Sequence, residues 1–336
     1  MAEKIALALS DGVDSAVAGW LLKQAGYEVH GLYLDIAGEK EKQDAISSAA
    51  FLDIPLEIAD IRRLRDEQVC EPFARAYRAG RTPNPCIICN PRVKFPMLMD
   101  FARRIGAEKI ATGHYVRCDG QHLRTGLPEE DQSYMLCRLT REQIRPLILP
   151  LGETRKAQAR ALAAEISLPV AAKPDSRENC FIRGERYEAW LERRGPVPPP
   201  GKVFFRGEVI GEHGGIHRYT VGQRWPEDRE GRRLYVQALR PGVNEVRLCL
   251  WEDLFHTELK VGNLSFLEPI PEGESFRAII RVRHTRWEMP ECTVTVKNEL
   301  AFVHTDTPLR APAPGQTAAF YQGDLLLGGG EILPDE

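Results

Sequence analysis

Short apolar runs alternate with amphipathic stretches along the first half of the chain. The apolar runs predict strands at residues 5–9, 29–34, 56–60 and 109–112. The stretches between and after them predict helices at residues 14–25, 43–52, 63–78, 95–105, 131–139 and 153–166. Strands that alternate with helices form a parallel sheet covered by helices, which predicts an α/β domain. Ligands of such sheets bind at the carboxyl ends of the strands.

The pattern changes at residues 196–200, where four of five residues are proline and a linker or sharp turn is expected. Beyond them the helical periodicity nearly disappears, and short alternating segments are separated by glycine and proline. These segments predict strands at residues 202–205, 208–211, 233–238, 245–250, 276–283, 292–296, 318–321 and 324–327. Such strands are typical of small antiparallel sheets or a barrel. We therefore expect β-rich modules after the α/β domain.

A polar turn at residues 10–15 joins the first predicted strand to the first predicted helix. Ser10, Asp11 and Asp14 are residue types that cap helices. A helix that begins directly after a strand presents free backbone N–H groups, which form a site for an anion such as phosphate. The lysine of a Walker-type P-loop does not follow. On spacing alone, a phosphate-binding loop and an unliganded turn are equally good interpretations.

Two polar loops carry cysteines. Residues 80–91 contain three prolines and predict a stiff loop without helix, in which Cys86 and Cys89 form a C-x-x-C pair. This spacing serves redox couples, zinc half-sites and iron–sulfur ligation. Cys180 lies in a second loop, at residues 173–182, and by itself is interpreted as a packing residue. If it approaches the pair, the three sulfurs either ligate an iron–sulfur cluster or pass sulfur on by thiol–disulfide exchange.

Length and composition narrow the class of protein. The 336 residues predict two or three domains, and the net charge of −3 does not by itself indicate nucleic acid. Arginine runs at residues 62–65 and 277–286 are candidate basic patches, although most such runs are ordinary solvated faces. The sequence shows neither a membrane-length apolar run nor a secretory pattern, so we expect a cytoplasmic protein without a membrane partner. Its eight cysteines then indicate sulfur, redox or metal chemistry rather than a disulfide framework.

An ordered set of short motifs carries a family resemblance. The motifs lie at residues 10–15, 82–90 with 94–95, 111–115, 131–134, 175–176 with 180–182, 219–224, 314–316 and 327–330. In this order they resemble the bacterial tRNA-specific 2-thiouridylases, the MnmA family, within the PP-loop ATP pyrophosphatase superfamily. The resemblance runs along essentially the whole chain, and a set of motifs in one order is far more specific than any of them singly.

The resemblance implies a fold and a reaction. It implies a PP-loop domain of the adenine nucleotide alpha hydrolase type at residues 1–184, a small β-rich domain at 185–262 and a tRNA-binding antiparallel β-barrel at 263–336. ATP, with Mg²⁺, would adenylate the 2-oxygen of the wobble uridine, and a persulfide would then deliver sulfur as AMP leaves. Adenylation makes the oxygen a good leaving group, and a persulfide is a strong nucleophile near neutral pH. The implied partners are the anticodon stem-loop of tRNA and an upstream sulfur donor.

The resemblance also implies roles for individual residues. Cys180 would carry the persulfide, and Cys89 would free its sulfur or form a disulfide with Cys180. The residues implied for ATP are Ala8, Leu9, Ser10, Asp11, Gly12, Val13, Asp14, Ser15, Leu34 and Gly113. Those implied for tRNA are Asn84, Pro85 and Cys86 around the target base, together with His114, Glu130, Asp131, Gln132, Arg283, His284 and Gln316.

Three residues depart from the family pattern and keep alternatives open. Asp11 stands where the family has glycine, and it places a negative charge beside a polyanion, where it either binds magnesium or weakens ATP binding. Ala16 replaces a usual serine. Cys86 replaces a frequent aspartate, which favours an iron–sulfur version of the chemistry through Cys86, Cys89 and Cys180. The alternatives are a PP-loop sulfurtransferase or ligase that acts on another nucleotide, and a tRNA-binding paralogue with impaired ATP use.

Overall fold

The computed structural model describes residues 2–36, 39–175, 179–182, 184–226, 231–284 and 289–334. The chain divides into two compact units. The first unit comprises residues 1–69, 86–181 and 324–326, and the second comprises residues 70–85, 182–323 and 327–336. The prediction of three domains with boundaries at 184/185 and 262/263 is a finer division, and it stays a prediction.

A parallel sheet forms the centre of the first unit. The strands between residues 4 and 148 are β1 (Lys4–Ala8), β2 (Glu28–Asp35), β3 (Leu56–Asp60), β4 (Lys109–Ala111), β5 (Val116–Cys118), β6 (Leu123–Thr125) and β7 (Leu147–Ile148). Among the described residues the sheet has the order β3-β2-β1-β4-β7, and all of its neighbouring strands are parallel. The predicted strands at residues 5–9, 29–34, 56–60 and 109–112 are confirmed within one residue at each end.

Helices cover both faces of this sheet at its central strand. The α-helices of the described chain are α1 (Val13–Gln24), α2 (Glu39–Leu52), α3 (Arg62–Arg65), α4 (Glu71–Arg78), α5 (Pro85–Cys89), α6 (Phe95–Ile105), α7 (Arg141–Ile144), α8 (Lys156–Glu165) and α9 (Tyr187–Arg193). Successive strand residues point to opposite faces, and Ile5, Ala6 and Leu7 are all fully buried. Both faces of β1 are therefore covered, which explains its continuous apolar sequence.

The prediction that residues 80–91 form a loop without helix is wrong beyond residue 84. α5 begins at Pro85, and a π-helical turn at Asn90–Lys94 joins it to α6. Proline is well tolerated at the first position of a helix, because the N–H that it lacks has no partner there. Pro91 would disturb a regular helix by removing a hydrogen bond and crowding the preceding turn, and the wider π-helical turn relieves this conflict. Three prolines therefore mark the start and an irregular turn of a helix rather than its absence.

The four strands after the proline-rich segment form an independent sheet in the second unit. They are β8 (Gly201–Phe205), β9 (Glu208–His213), β10 (Tyr235–Arg240) and β11 (Glu245–Cys249), in the order β10-β11-β8-β9. Arg206 and Gly207 join β8 to β9 with positive φ angles of 51° and 86°, as a tight hairpin turn requires. Val203, Val236 and Val246 are fully buried in the apolar core of this sheet.

The remaining strands close into a barrel. They are β12 (Phe255–Phe266), β13 (Ser275–Arg281), β14 (Glu291–Lys297), β15 (Leu300–Arg310), β16 (Thr317–Gln322) and β17 (Leu325–Ile332). Their order is β12-β15-β14-β13-β16-β17, and β17 pairs again with β12, so the described strands form a closed six-stranded antiparallel barrel. Its interior is filled by apolar side chains such as Ile280, Val294 and Phe320, which are fully buried.

The predicted fold class, an α/β domain followed by β-rich modules, is confirmed. In the described ranges, no helix has the length and apolar character needed to cross a membrane.

Candidate functional site

The strand order of the parallel sheet reverses between β1 and β4. The chain leaves β1 on one side toward β2, whereas β4 lies on the other side. In open α/β sheets such a reversal creates a crevice at the carboxyl ends of the two strands, where ligands bind. Residues 9–15 follow β1, and residues 112–114 follow β4. Two of the segments predicted to hold the nucleotide therefore lie at one edge of the sheet, at its reversal point.

Two serine side chains hold the turn after β1 in shape. The Ser10 and Ser15 hydroxyl oxygens lie 2.9 Å apart, and the backbone N–H of Ser10 donates to Ser15 Oγ at 3.0 Å. The backbone N–H of Gly12 donates to Ser10 Oγ at 3.2 Å. Gly12 is the N-cap of α1 and offers no side chain to the first N–H groups of the helix. These groups are available to an anion at the helix N-terminus, as the nucleotide-loop interpretation requires.

Gly113 passes directly against the beginning of α1. A Cβ atom at this position would lie 2.8 Å from the backbone carbonyl carbon of Asp14 and 2.8 Å from the backbone nitrogen of Ser15. Real Cβ atoms do not come so close, so any side chain here would push the turn after β4 away from the turn after β1. Glycine is thus needed for the two segments to meet.

A network of charged side chains surrounds Asp14. Its carboxylate accepts hydrogen bonds from the Tyr115 hydroxyl at 2.7 Å and from Lys156 Nζ at 2.5 Å. Lys156 also lies 3.1 Å from Asp175, which Arg160 contacts at 2.6 Å. Desolvation acts to raise the pKa of Asp175, but the hydrogen bonds from the two cations outweigh it and lower the pKa. Asp175 therefore stays ionised and joins α8 to the loop that leads to Cys180.

Asp11, the residue that departs from the family pattern, also has a cationic partner. Its carboxylate lies 2.7 Å from Lys173 Nζ, and Lys173 lies 2.6 Å from the carboxylate of Asp44 on α2. Sequence patterns did not indicate a functional role for Lys156, Arg160 or Lys173. The only sequence signal for the first two is their spacing of four residues on one helix, which places them on the same face.

Cys89 and the segment that carries Cys180 pack against one apolar cluster. Its buried members are Ile61, Val69 and Val93, and the partly buried residues around it include Leu34, Cys89 and Phe181. Leu34, predicted to contact ATP, thus shares a cluster with Cys89 and with the neighbour of Cys180.

Ionisation of the Cys89 thiol depends on its burial and on the charges of Lys94, Cys86 and Cys180. Burial raises the pKa of Cys89 to about 11; Lys94 acts to lower it, and the Cys180 and Cys86 thiolates act to raise it.

Cys86 and Cys180 are exposed, and none of the eight cysteines, all of which lie in the described ranges, forms a disulfide, so the expected Cys89–Cys180 bond is not made in this structure. Among the residues that the structure describes, no group of three or more His, Cys, Asp or Glu side chains has the geometry to hold a metal ion. The iron–sulfur interpretation of Cys86, Cys89 and Cys180 gains no support from this arrangement and stays a prediction.

Comparison with known proteins covers nearly the whole chain. Three family models match it in succession: the tRNA methyl transferase HUP domain at residues 3–184, the tRNA methyl transferase PRC-barrel domain at residues 189–249 and the aminomethyltransferase beta-barrel domain at residues 256–332. The tRNA-specific 2-thiouridylase MnmA of Lachnoclostridium phytofermentans is 37% identical over 98% of this chain and 99% of its own length. That of Desulfosudis oleivorans is 38% identical over 98% of this chain and 94% of its own length. The chain belongs to the tRNA-specific 2-thiouridylase (MnmA) family.

Similarity to solved structures is weaker. A 4-thiouridine synthetase solved with RNA and bound ATP is 18% identical, with a TM-score of 0.38, over 57% of this chain and 50% of its own. The sequence relatives alone confirm the resemblance to the MnmA family.

In the first unit, several side chains that the MnmA resemblance assigned to tRNA are engaged within the protein. Asp131 is only 3% exposed, and its carboxylate accepts hydrogen bonds from Gly126 and Ser133. This holds a short 3₁₀ helix at Ser133–Leu136, where the sequence predicted a longer helix over residues 131–139. The Gln132 side chain accepts from the backbone N–H of Tyr115 at 3.1 Å, and that of Glu130 accepts from the backbone N–H of Lys156 at 3.1 Å. Their assignment to tRNA stays a prediction.

His114 lies in the turn after β4. Its Nδ1 is 2.7 Å from the Thr112 hydroxyl, and its ring stacks near that of Phe95. Desolvation, with a smaller contribution from the positive charge of Lys94, holds the pKa of His114 well below its usual value. A neutral imidazole at this position can exchange hydrogen bonds with a base without adding charge.

In the second unit, the segment before the cysteine pair is held by the motif at residues 314–316. The backbone N–H of Thr82 donates to the Pro314 carbonyl at 2.8 Å. A Cβ atom on Gly315, which has a φ of 89°, would lie 2.8 Å from the Thr82 nitrogen. These contacts fix residues 81–82 next to the turn that contains Gln316, and Thr82 is two positions before Asn84. Two motifs far apart in the sequence therefore form one local structure.

Arg283 and His284 lie just beyond β13. The Arg283 guanidinium donates to the carbonyls of Arg310 and Ala311, and Arg281 donates to the His284 carbonyl at 3.1 Å. These bonds tie the segment after β13 to the end of β15. The assignment of Arg283 and His284 to tRNA stays a prediction.

Proposed function

We propose that this protein is a sulfurtransferase that uses ATP to thiolate tRNA at the 2-position of the wobble uridine. Membership of the MnmA family over nearly the full chain carries this proposal. The nucleotide-loop geometry and the shared cluster of Leu34, Cys89 and Phe181 support it. The proposed partners are the anticodon stem-loop of tRNA and an upstream sulfur donor, and the proposed location is the cytoplasm.

The nucleotide is the first substrate in this proposal. Residues 8–15 hold the nucleotide, and the uncapped backbone N–H groups of the first turn of α1 receive its phosphates. Mg²⁺, when bound, would balance the remaining negative charge. Leu34 and Gly113 border the adenosine. The uracil 2-oxygen attacks the α-phosphorus of ATP, a bond to AMP forms, and pyrophosphate leaves. The former carbonyl oxygen is now part of a good leaving group.

Sulfur transfer is the second step. Cys180 carries a persulfide received from the donor, and the Cys89 thiolate attacks the Cys180 sulfur. A Cys89–Cys180 disulfide forms, sulfide is released, and sulfide attacks C2 of the uracil while AMP leaves. The cell's thiol reductants must then reduce the disulfide before the next turnover. The persulfide route needs no iron–sulfur cluster, and no group of three metal-ligating side chains was found among the described residues, so the proposal takes the persulfide route.

Recognition of tRNA is divided among several segments in this proposal. Asn84, Pro85 and Cys86 border the target base, which is taken from the anticodon loop at little cost because it is single-stranded. His114, Glu130, Asp131 and Gln132 lie near the tRNA on one unit, and Arg283, His284 and Gln316 on the other. The domain at residues 263–336 contacts the phosphates of the stem, which position the substrate.

Nucleoside mass spectrometry of tRNA tests the proposal. Cells that lack this gene should lose wobble 2-thiouridine, and the wild-type gene should restore it. The purified protein should exchange pyrophosphate into ATP when tRNA is present. Pyrophosphate exchange without thiolation would favour a ligase or a sulfurtransferase with another acceptor. Binding of tRNA without any exchange would favour a paralogue with impaired ATP use.

A further inference from the structure

The polar turn at residues 10–15, called the nucleotide loop below, contains an acidic side chain, Asp11, that forms an ion pair with Lys173. Asp11 lies between the two serines that shape the loop, at the place where backbone N–H groups would receive phosphate. Lys173 bridges its carboxylate to that of Asp44, at 2.7 and 2.6 Å. The side chains of Lys173, Asp11 and Asp44 are 26%, 33% and 27% exposed. The bridge is thus partly shielded from water, and salt screens it less than a surface pair.

An uncompensated carboxylate at position 11 would oppose ATP. At the few ångströms that separate a loop side chain from a bound phosphate, repulsion between two unit charges lowers affinity about tenfold to a hundredfold at a partly exposed site. Lys173 offsets this repulsion. Desolvation acts to lower the pKa of Lys173, but its hydrogen bonds to Asp11 and Asp44 outweigh that effect and raise the pKa, so it remains charged through the neutral range.

The segment around Lys173 is itself fixed in place. Arg160 donates to the Lys173 carbonyl at 3.0 Å and to the Asp175 carboxylate at 2.6 Å. Asp175 in turn contacts Lys156, which binds Asp14 at the other end of the nucleotide loop. The backbone N–H of Lys173 donates to the Val170 carbonyl at 2.9 Å, so the backbone of Lys173 is bonded on both sides and its side chain extends toward Asp11 from a fixed position.

We propose that Lys173 is a positioning residue that neutralises Asp11 and thereby allows the nucleotide loop to accept the phosphates of ATP. This inference rests on the proposed function, since it presumes that ATP is the ligand of the loop. It assigns Lys173 an action through Asp11 rather than a contact with the nucleotide. Its distinctive consequence is that the need for Lys173 should disappear when Asp11 is removed.

A double-mutant cycle on ATP binding tests this consequence. Isothermal titration of Mg·ATP into the full-length protein with tRNA is compared for wild type, Lys173→Met, Asp11→Gly and the double variant. We expect Lys173→Met to raise the Kd about tenfold or more, and the double variant to bind within about threefold of Asp11→Gly. Lys173→Arg keeps the charge and should retain most of the affinity. Lys42→Met is the matched control, because Lys42 pairs with Glu39 on the same helix as Asp44 but does not face Asp11.

Each contrary result has a definite meaning. If Lys173→Met weakens ATP binding equally in the wild-type background and in the Asp11→Gly background, then Lys173 contacts the nucleotide, acts through Asp44 or supports the fold, and the proposal is wrong. If Lys173→Met lowers only the thermal unfolding midpoint while its Kd stays unchanged, the proposal is also wrong. Binding by Asp11→Gly but not by wild type would show that Lys173 fails to neutralise Asp11. If none of the variants binds ATP, the proposed function itself fails, which the first two results leave standing.

Discussion

The nucleotide loop and the cysteine-bearing segments of the first unit are held by opposite kinds of interaction. The loop is fixed by hydrogen bonds between Ser10 and Ser15, by the close approach of Gly113 and by ion pairs to Asp11 and Asp14. Cys89 and Phe181 instead pack against an apolar cluster. The first region has uncapped backbone donors at the N-terminus of α1, as the proposed phosphate site requires, whereas the second buries a thiol that must ionise before it can react in the proposed sulfur relay.

This difference indicates which step of the proposed reaction requires a change in the protein when substrate binds. Phosphate binding needs little rearrangement, since the donors of α1 are uncapped and the surrounding charges are paired. The reaction of Cys89 needs its pKa to fall from about 11, which a change in burial or an added positive charge would achieve. We therefore expect nucleotide-loop variants to affect ATP binding, and cysteine variants to affect sulfur transfer alone.

The largest expected effect is a complete separation of the two steps. Cys180→Ala and Cys89→Ala should each abolish thiolation, because neither thiol can be replaced in a persulfide relay. Pyrophosphate exchange should stay within about twofold of wild type, since a small truncation at a partly exposed site perturbs the neighbouring loop little. Mass spectrometry of wobble uridine and exchange of labelled pyrophosphate measure the two steps. Cys118→Ala, a half-buried thiol bonded to the Leu147 carbonyl, is the control that should retain both.

Normal 2-thiouridine in cells with Cys180→Ala as the sole copy would contradict the relay. Loss of exchange in both cysteine variants would contradict the separation of the two regions instead. The two failures are therefore distinguishable.

The next effect concerns the ionisation of Cys89. A pKa of about 11 leaves about one thiol in a thousand ionised at pH 8, whereas about one tenth to one quarter of an unperturbed thiol is ionised. Because a thiolate of higher pKa is also more nucleophilic, we expect Cys89 to react with iodoacetamide about tenfold to 200-fold more slowly than an unperturbed thiol. Its rate should rise with pH up to about 11. Lys94→Met should slow it further, because the positive charge of Lys94 lowers this pKa. Peptide mass spectrometry of timed alkylations gives the rates, with Lys42→Met as control. A plateau reached below pH 9 would contradict this prediction.

Sequence patterns predicted this architecture where the causes are local. The parallel strands were found because burial on both faces produces continuous apolar runs, as at residues 5–7. The helix at Pro85 was missed because proline signals both helix starts and loops. β12 and β15 were missed in part because their pairing is irregular between His256 and Glu258, where a simple two-residue alternation is interrupted. The ion pair between Asp11 and Lys173 joins residues 162 positions apart, and no spacing in the sequence indicates it.

A smaller effect is expected where the two turns at the sheet edge meet. Gly113→Ala places a Cβ atom 2.8 Å from two backbone atoms of α1, so the turn after β4 must shift. Such overpacking costs about 1–3 kcal/mol, and if half of this cost falls on the bound state, ATP binding should weaken by about twofold to tenfold. Titration with Mg·ATP and chemical denaturation measure both quantities. Gly211→Ala is the control, because its Cβ would meet no atom within 4 Å. Unchanged affinity in Gly113→Ala would show that these turns do not form one site.

The smallest effect tests the Asp14 network. Tyr115→Phe removes the hydroxyl that donates to Asp14 at 2.7 Å but keeps the buried ring. Asp14 retains Lys156, so we expect a loss of about 1 kcal/mol in unfolding free energy and about fivefold in ATP affinity. Cys89 alkylation should not change, since Tyr115 is not part of the apolar cluster around Cys89. Tyr27→Phe, beyond the other end of α1, is the control. A change in Cys89 alkylation without a change in ATP affinity would reverse the comparison: the network around Asp14 would then govern the sulfur chemistry rather than the nucleotide.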